Sequence, residues 1–492
     1  MLSAAPSAAT AIGTRATAPL SRRADSTLTE QLAARFSERI HQRLLAPGAR
    51  LPSVRECARR HAVSPSTVVA AYDQLLAQGL VEARRQRGFF VRDVRPEGPA
   101  RASADGATAP GAFRTPLPTS ATALIRGMFQ PPGSHPMPGL GTLPVDWLDA
   151  GLLATALRRV GSGTRLAELS LQYGEPAGDM RLRRALATRL ADHGVNAVPQ
   201  QIVTTIGATQ ALDVVTRTLV RAGDSVLVDE PGWSVEYARL AALGLRVLPV
   251  PRGEDGPDLE AMNRLIAAQK PHDKPRLYIT VPVLHNPTGA SLSLGCAHRL
   301  LQLAQHHDLT LVEDDTYAHL APAHLPRLAA LDALERTVYI SGFSKILAPN
   351  WRVGFIAAPM ALVDRLVDTK LLTTLTTPAL TEQALAHCLE HGLLRRHAER
   401  VMQRLDAARA RTVKLAQAHG CRFAAPPRGL FGWVDVGVDT EKLAQVMLDD
   451  WLIAPGALFH ATHRPTTLMR INFATTQDAR FWKALDKARA GL

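Results

Sequence analysis

Apolar residues recur at every fourth position through Leu28, Leu32, Phe36, Ile40 and Leu44, so LTEQLAARFSERIHQRL predicts an amphipathic helix. APGARLPS stops it with a Pro-Gly turn. Ser53 then caps a short helix that runs to about Arg60. SPSTVVAAYDQLLAQG opens a second one, with Ser64 as N-cap and Pro65 at the first helical position. Val68, Tyr72, Leu75 and Leu76 form its apolar stripe, and Gly79 ends it. LVEARRQRGFFV reads as two short strands around a basic tip that includes Arg87. Two short helices joined by a tight turn, the second with a polar N-terminal face, predict a helix-turn-helix, here followed by a wing.

From Asp93 to about Ser134 the periodicity disappears. Pro, Gly, Ala, Ser and Thr dominate, which predicts a flexible tether with an r.m.s. span of roughly 35 Å. After Leu140 a new pattern starts. Short apolar runs (QIVTTI, SVLVDE, RLYITVPV, LTLVEDD, TVYISGF) alternate with helical segments, the signature of an α/β domain with a mainly parallel central sheet.

A chain of 492 residues exceeds one ordinary core. The pattern divides it into an N-terminal extension (1–26), a winged helix-turn-helix (27–92), the tether (93–134) and a large domain (135–492). Charge sharpens this division. Between Arg22 and Arg101 fifteen arginines face eight acidic residues, a surplus of seven within a net charge of +13. Such clustering is the footprint of a polyanion-binding module, against the plainer reading of a solvated basic surface. Four scattered cysteines without paired spacing fit a reducing cytoplasm and give neither a disulfide frame nor a zinc site. No apolar run is long enough to cross a bilayer. The first 25 residues, rich in Ala, Ser and Thr, lack the apolar stretch of a secretory signal and read as a disordered extension.

In parallel sheets, polar residues just past the strand ends converge on one ligand site. Each apolar run here is followed by one suggestive cluster. TIGATQAL places Gly207, Ala208 and Thr209 at a helix start, where free amides hold a phosphate, as many strand-to-helix turns would. DEPGW offers Trp233 as a flat stacking face, or as an ordinary core residue. HNPTG offers the amide of Asn286, or a plain turn. EDDTYAHL offers Asp314 for a protonated ring nitrogen and Tyr317 for a ring oxygen, against a capping acid and a half-buried tyrosine. SGFSKILAPNWRVG offers Lys345, one of eight lysines, as a Schiff-base amine, against a plain surface lysine, and Arg352 as a phosphate clamp. Each plain reading competes well alone. Phosphate, ring face, ring oxygen, ring nitrogen and aldehyde together are the five features of pyridoxal 5′-phosphate.

Two resemblances follow. GARLPSVRECARRHAVSPSTVVAAYDQLLAQGLVEARRQRGFFV resembles the winged helix-turn-helix of GntR-type bacterial transcription regulators, which implies DNA contacts at Arg55, Ser66 and Thr67; Pro65 stands where that family often has Arg. The ordered clusters resemble fold-type I, aspartate-aminotransferase-like enzymes from about Tyr173 to Phe473. That resemblance implies Lys345 on the cofactor aldehyde, Asp314 on the pyridine nitrogen, Asn286 and Tyr317 on the phenolic oxygen, and Trp233 on the ring face. It assigns the phosphate to Arg352 and the Gly207–Ala208–Thr209 turn. It further implies that Tyr173, in LQYGEPAGDMRLRRAL, reaches a neighbouring subunit's phosphate, and that Arg470, in LMRINFA, clamps a substrate α-carboxylate. One position departs: the family's Ser or Thr three residues before the lysine is Gly342 here, with Ser341 and Ser344 as nearby hydroxyls.

The combination resembles MocR-type regulators. It implies a homodimeric transcription factor that binds an operator and senses an amine or amino acid through pyridoxal 5′-phosphate. Two other readings stay open: a working aminotransferase that carries a DNA-binding module, and a regulator for which the cofactor itself is the signal.

Overall fold

The computed structural model describes residues 20, 26–41, 45, 47–84, 87–92, 137–162, 165–448, 450–462 and 464–492. The expected tether, most of the N-terminal extension and Leu44 lie outside the described residues.

The N-terminal module holds three helices, α1 (Leu28–His41), α2 (Val54–His61) and α3 (Pro65–Ala77), and a hairpin of β1 (Val81–Arg84) and β2 (Gly88–Val91). The caps fall where the sequence puts them. Ser53 Oγ accepts the Glu56 amide at 3.3 Å and Ser64 Oγ accepts the Thr67 amide at 3.1 Å, each filling an orphan donor at a helix start. Leu32, Phe36, Val68, Tyr72 and Leu75 are buried together, while Leu76 stays partly exposed at the edge of this core. Tyr72 ties the module together: its ring meets Phe36 and Phe89 edge-on, and its hydroxyl donates to the Pro52 carbonyl at 2.9 Å.

The large domain is built on a seven-stranded sheet of β3 (Ile202–Thr205), β4 (Ser225–Glu230), β5 (Arg246–Pro251), β6 (Leu277–Thr280), β7 (Thr310–Asp314), β8 (Thr337–Gly342) and β9 (Gly354–Ala357). Its order is β3-β9-β8-β7-β6-β4-β5. Neighbours pair in parallel from β5 to β8, and β9 runs against both β8 and β3. Helices cover both faces, so β3, β6, β8 and β9 are buried at every position, with apolar side chains interspersed with threonines and a serine. The reading from sequence found five of these strands. It passed over β5, whose RVLPVP carries two prolines at a sheet edge, and β9, merged into the apolar run after Arg352.

A second, antiparallel sheet comprises β10 (Arg422–Phe423), β11 (Phe431–Asp435), β12 (Ala454–Pro455) and β13 (Leu468–Asn472) in the order β10-β11-β13-β12. The 26-residue helix Leu393–Ala418 leads into it. No helix among the described residues is long and apolar enough to cross a membrane.

Candidate cofactor and effector site

The site forms along the carboxyl edge of the large sheet. β3 ends at Thr205, two residues before Gly207; β4 ends at Glu230, three before Trp233; β7 ends on Asp314 and β8 on Gly342, three before Lys345. Because β9 runs the other way, its start lies at this same edge, and Arg352, two residues earlier, joins the group.

The phosphate corner depends on two glycines. Gly207 sits at φ +96°, and a Cβ there would lie 2.7 Å from Arg352 Nη2. A Cβ on Gly354 would lie 2.6 Å from the Gly207 carbonyl carbon. Only glycine lets the turn lie this close to both β9 and the guanidinium. The helix Ala208–Leu219 begins with no side-chain cap, so its first amides remain available to an anion. Arg352 is held at that corner by bonds from Nη2 to the Ile206 carbonyl at 2.7 Å and from Nη1 to Ser344 Oγ at 3.2 Å. Thr209 is exposed on the first turn.

Gly342 has an unambiguous orientation. A Cβ there would point at the Ala208 amide, 3.3 Å away. Ser341 faces the other side of β8, as strand alternation requires, and donates to the Asp315 carbonyl at 2.8 Å. Of the two nearby hydroxyls, only that of Ser344 stands at the Arg352 corner.

Asp314 is buried, and that burial raises its carboxyl to about 6 even though Thr316 donates to it. Trp233 starts the helix Ser234–Ala242 and lines one small cavity with Asp314 and His285. Burial pushes the Tyr317 phenol up, with Asn286 acting weakly in the other direction. Lys345 is half-buried. Burial lowers it to about 8, with Arg470 adding to the effect, and Nζ donates to the Gly141 carbonyl at 2.9 Å.

Arg470 reaches the site from β13. Nη1 donates to Asn286 Oδ1 at 2.8 Å and Nη2 to the Gly139 carbonyl at 2.7 Å, while Nε has no partner. Its guanidinium carbon lies 4.5 Å from the Phe431 ring centre and 5.0 Å from that of Phe459. Burial lowers it to about 10. A desolvated, aromatic-flanked guanidinium fits a carboxylate far better than water does.

Around the small cavity shared with Trp233 and Asp314 lies a buried ion-pair network that sequence reasoning missed. Asp229 accepts from Arg252 Nη1 at 3.0 Å, Thr280 Oγ1 at 2.7 Å, the Val281 amide at 3.2 Å and the Tyr278 hydroxyl. His285 lies 3.7 Å from the same carboxylate, held neutral by burial and Arg252. Asp229 and His285 are the first residues of motifs already noted, DEPGW and HNPTG, but nothing in either motif reveals that the two meet.

Tyr173 lies apart from these groups, 82% exposed and not in contact with its own chain's site. On the N-terminal module, Arg55, Ser66 and Arg87 are exposed and Thr67 is half-buried. Ser66 and Thr67 lie with their hydroxyls 2.7 and 2.8 Å from Ser64 Oγ. All four cysteines are free and buried.

The residues fit pyridoxal 5′-phosphate. An uncapped helix start with a guanidinium suits the phosphate, and a buried carboxyl, a phenol–amide pair, an indole face and a desolvated amine suit the remaining four features.

Comparison with known proteins agrees. The model for aminotransferase class I and II matches residues 153–487, and that for bacterial regulatory proteins of the gntR family matches residues 28–91. The chain is 31% identical over 407 residues to the probable rhizopine catabolism regulatory protein MocR of Rhizobium meliloti, covering 81% of this chain and 79% of that one. It is 25% identical over 473 residues to the uncharacterized HTH-type transcriptional regulator YisV of Bacillus subtilis, covering 93% and 95%. Among solved structures, LysN, the α-aminoadipate aminotransferase of Thermus thermophilus complexed with N-(5′-phosphopyridoxyl)-L-leucine, superposes with a TM-score of 0.67 at 27% identity, over 75% of this chain and 94% of that one.

Proposed function

The chain is a GntR-type regulator fused to a class I and II aminotransferase domain that implies pyridoxal 5′-phosphate, and on that basis we propose that the large domain senses a carboxylate-bearing amine and alters DNA binding by the small one. One observation carries the reading. The groups suited to the cofactor and Arg470, suited to a carboxylate, come from two different sheets yet meet through Asn286.

When bound, the cofactor supplies an electrophilic aldehyde and an electron-accepting ring. The chain's residues do the rest. Lys345 is deprotonated in useful proportion near pH 8 and supplies the amine that holds the aldehyde. Asp314, ionised above about pH 6, pairs with the ring nitrogen. Tyr317 and Asn286 orient the phenolic oxygen, Trp233 covers one ring face, and Arg352, Ser344 and the Gly207–Ala208–Thr209 turn take the phosphate. Arg470 orients the effector through its carboxylate. On the small module, Arg55 on α2 and Ser66 and Thr67 at the start of α3 meet DNA, and Arg87 meets it from the wing.

The working assembly is a homodimer. Leu171, Tyr173, Leu372 and Leu375 are large apolar residues exposed to solvent. Gly174 approaches Thr377, so the two stretches adjoin. Such a patch suits a second copy of the chain, with Tyr173 offered to that copy's phosphate corner.

A second reading is a catalytically competent aminotransferase. Its support is that Lys345 Nζ, once free, is a base of suitable pKa inside the site. The deciding experiment follows keto-acid formation and DNA affinity together for each amine that alters the cofactor absorbance. The sensing reading expects a change in DNA affinity with slow or absent turnover. Turnover at rates ordinary for metabolic enzymes, with DNA affinity unmoved, would reverse the choice.

A further inference from the structure

The stretch Met137–Leu143 is fastened along one side and touches two of the site cations, Arg470 and Lys345, on the other. The Asn472 amide donates to the Pro138 carbonyl at 3.2 Å, and Asn472 Nδ2 donates to the carbonyls of Leu140 at 2.9 Å and Thr142 at 2.7 Å. Thr475 Oγ1 donates to the Met137 carbonyl at 3.3 Å, and the Gly139 amide donates to the Leu452 carbonyl at 2.8 Å. In the other direction, the Gly139 carbonyl accepts from Arg470 Nη2 and the Gly141 carbonyl from Lys345 Nζ. The fit is close: a Cβ on Gly141 would stand 3.7 Å from both terminal nitrogens of Arg470.

Asn472 lies two residues beyond Arg470 on β13 and is fully buried. One strand therefore presents the effector clamp and the clasp on this segment. Met137 also directly follows residues 93–136, the only covalent path to the DNA-binding module.

We propose that Met137–Leu143 is the read-out strap of the effector site, with Asn472 the positioning residue that sets how firmly it is held. This rests on the reading that Arg470 receives an effector carboxylate. A carboxylate is a stronger acceptor for a guanidinium than a peptide carbonyl is. Its arrival at Nη2 takes the donor from the Gly139 carbonyl, and a buried carbonyl without a donor is unfavourable. The strap relieves that by shifting, at the point where the chain leads on from the small module. Linkage then works in both directions: whatever loosens the strap favours the carboxylate.

Two oxyamines that both react with pyridoxal phosphate separate carboxylate docking from aldehyde chemistry. Aminooxyacetate carries a carboxylate and methoxyamine does not. In the full-length, cofactor-loaded protein, aminooxyacetate is expected to raise amide hydrogen exchange across residues 137–143, and methoxyamine to alter only the absorbance. Asn472→Ala and the milder Thr475→Val are expected to show raised exchange without a probe and to bind aminooxyacetate several-fold more tightly. A residue with a merely structural role would loosen binding when altered. Unchanged exchange at 137–143, the same change with both probes, or variants that bind no tighter would overturn the strap. DNA affinity, measured on a duplex selected from a random library, tests the sensing reading separately. Exchange that responds while DNA affinity does not would refute sensing and leave the strap standing; the reverse pattern would refute the strap alone.

Discussion

Asn286 and Arg470 are joined by a 2.8 Å hydrogen bond from guanidinium to amide oxygen, although one follows β6 of the large sheet and the other lies on β13 of the second. The bond makes two roles dependent on each other: the amide proposed for the phenolic oxygen is the one that steadies the carboxylate clamp. Asn286→Ala should therefore destabilise the domain by about 1.5–3 kcal/mol, the usual loss for a hydrogen bond to a buried charged group. A double-mutant cycle with Arg470→Met, read by urea denaturation, should show the two losses to be strongly non-additive. Simple additivity would mean that the pair is not coupled.

Lys345→Ala should abolish covalent attachment of the cofactor. Lys345 is the lysine at the strand end among the groups suited to pyridoxal phosphate. Lys370 is a useful control, because it is also buried and also lowered to about 8, yet it donates to the Pro176 carbonyl at 2.8 Å, away from these groups. Borohydride trapping followed by peptide mapping should label Lys345 alone. Label on Lys370 would refute the assignment.

Cofactor loading should follow pH in a defined direction. Asp314, raised to about 6, acquires the charge that attracts a protonated ring nitrogen only as pH climbs through 6. Lys345, lowered to about 8, becomes a nucleophilic neutral amine as pH climbs through 8. Both changes favour loading as pH rises, so the rate at which the apoprotein takes up pyridoxal phosphate should increase as pH climbs through about 6 and again through about 8. Asp314→Asn should remove the lower limb and keep the upper one. A rate that climbs only near the roughly 10.4 of an ordinary lysine would contradict the burial of Lys345.

The strand ends were legible because each apolar run stops at a residue of distinctive chemistry, and the helix caps at Ser53 and Ser64 because short polar side chains there have few other uses. Contacts between distant segments were not legible. Arg470 lies 331 positions from Gly139 and 184 from Asn286, and no local pattern records such pairings. The side toward which Gly342 faces was equally hidden, since it depends on the register of β8 against β9.

DNA binding should weaken steeply with salt, because a module this rich in arginine releases counterions on meeting phosphate. Arg55 is exposed on α2, free to meet DNA. Arg55→Ala should lower affinity and flatten the slope of log affinity against log salt by about 1. Cofactor absorbance should stay unchanged. An unaltered slope would remove Arg55 from the phosphate contacts.

Gly342 leads to the remaining prediction. Its Cβ direction points at the first amide of the helix Ala208–Leu219, where the phosphate is expected, and no hydroxyl stands at that position. Ser341 is committed to Asp315 on the opposite face, and Ser344 accepts from Arg352 at the other side of the corner, its own O–H left for the phosphate. Gly342→Ser should therefore add a phosphate donor worth about 1 kcal/mol, or roughly five-fold slower loss of cofactor on dialysis. Gly342→Ala is the control for packing, since its methyl meets the same backbone amide at 3.3 Å and brings no hydroxyl. It should retain cofactor no better than the parent chain. Equal retention by the alanine and serine variants would show that filled space, not the hydroxyl, is what the corner lacks. A serine variant that loses cofactor faster would show that the corner closes around the phosphate only when position 342 has no side chain.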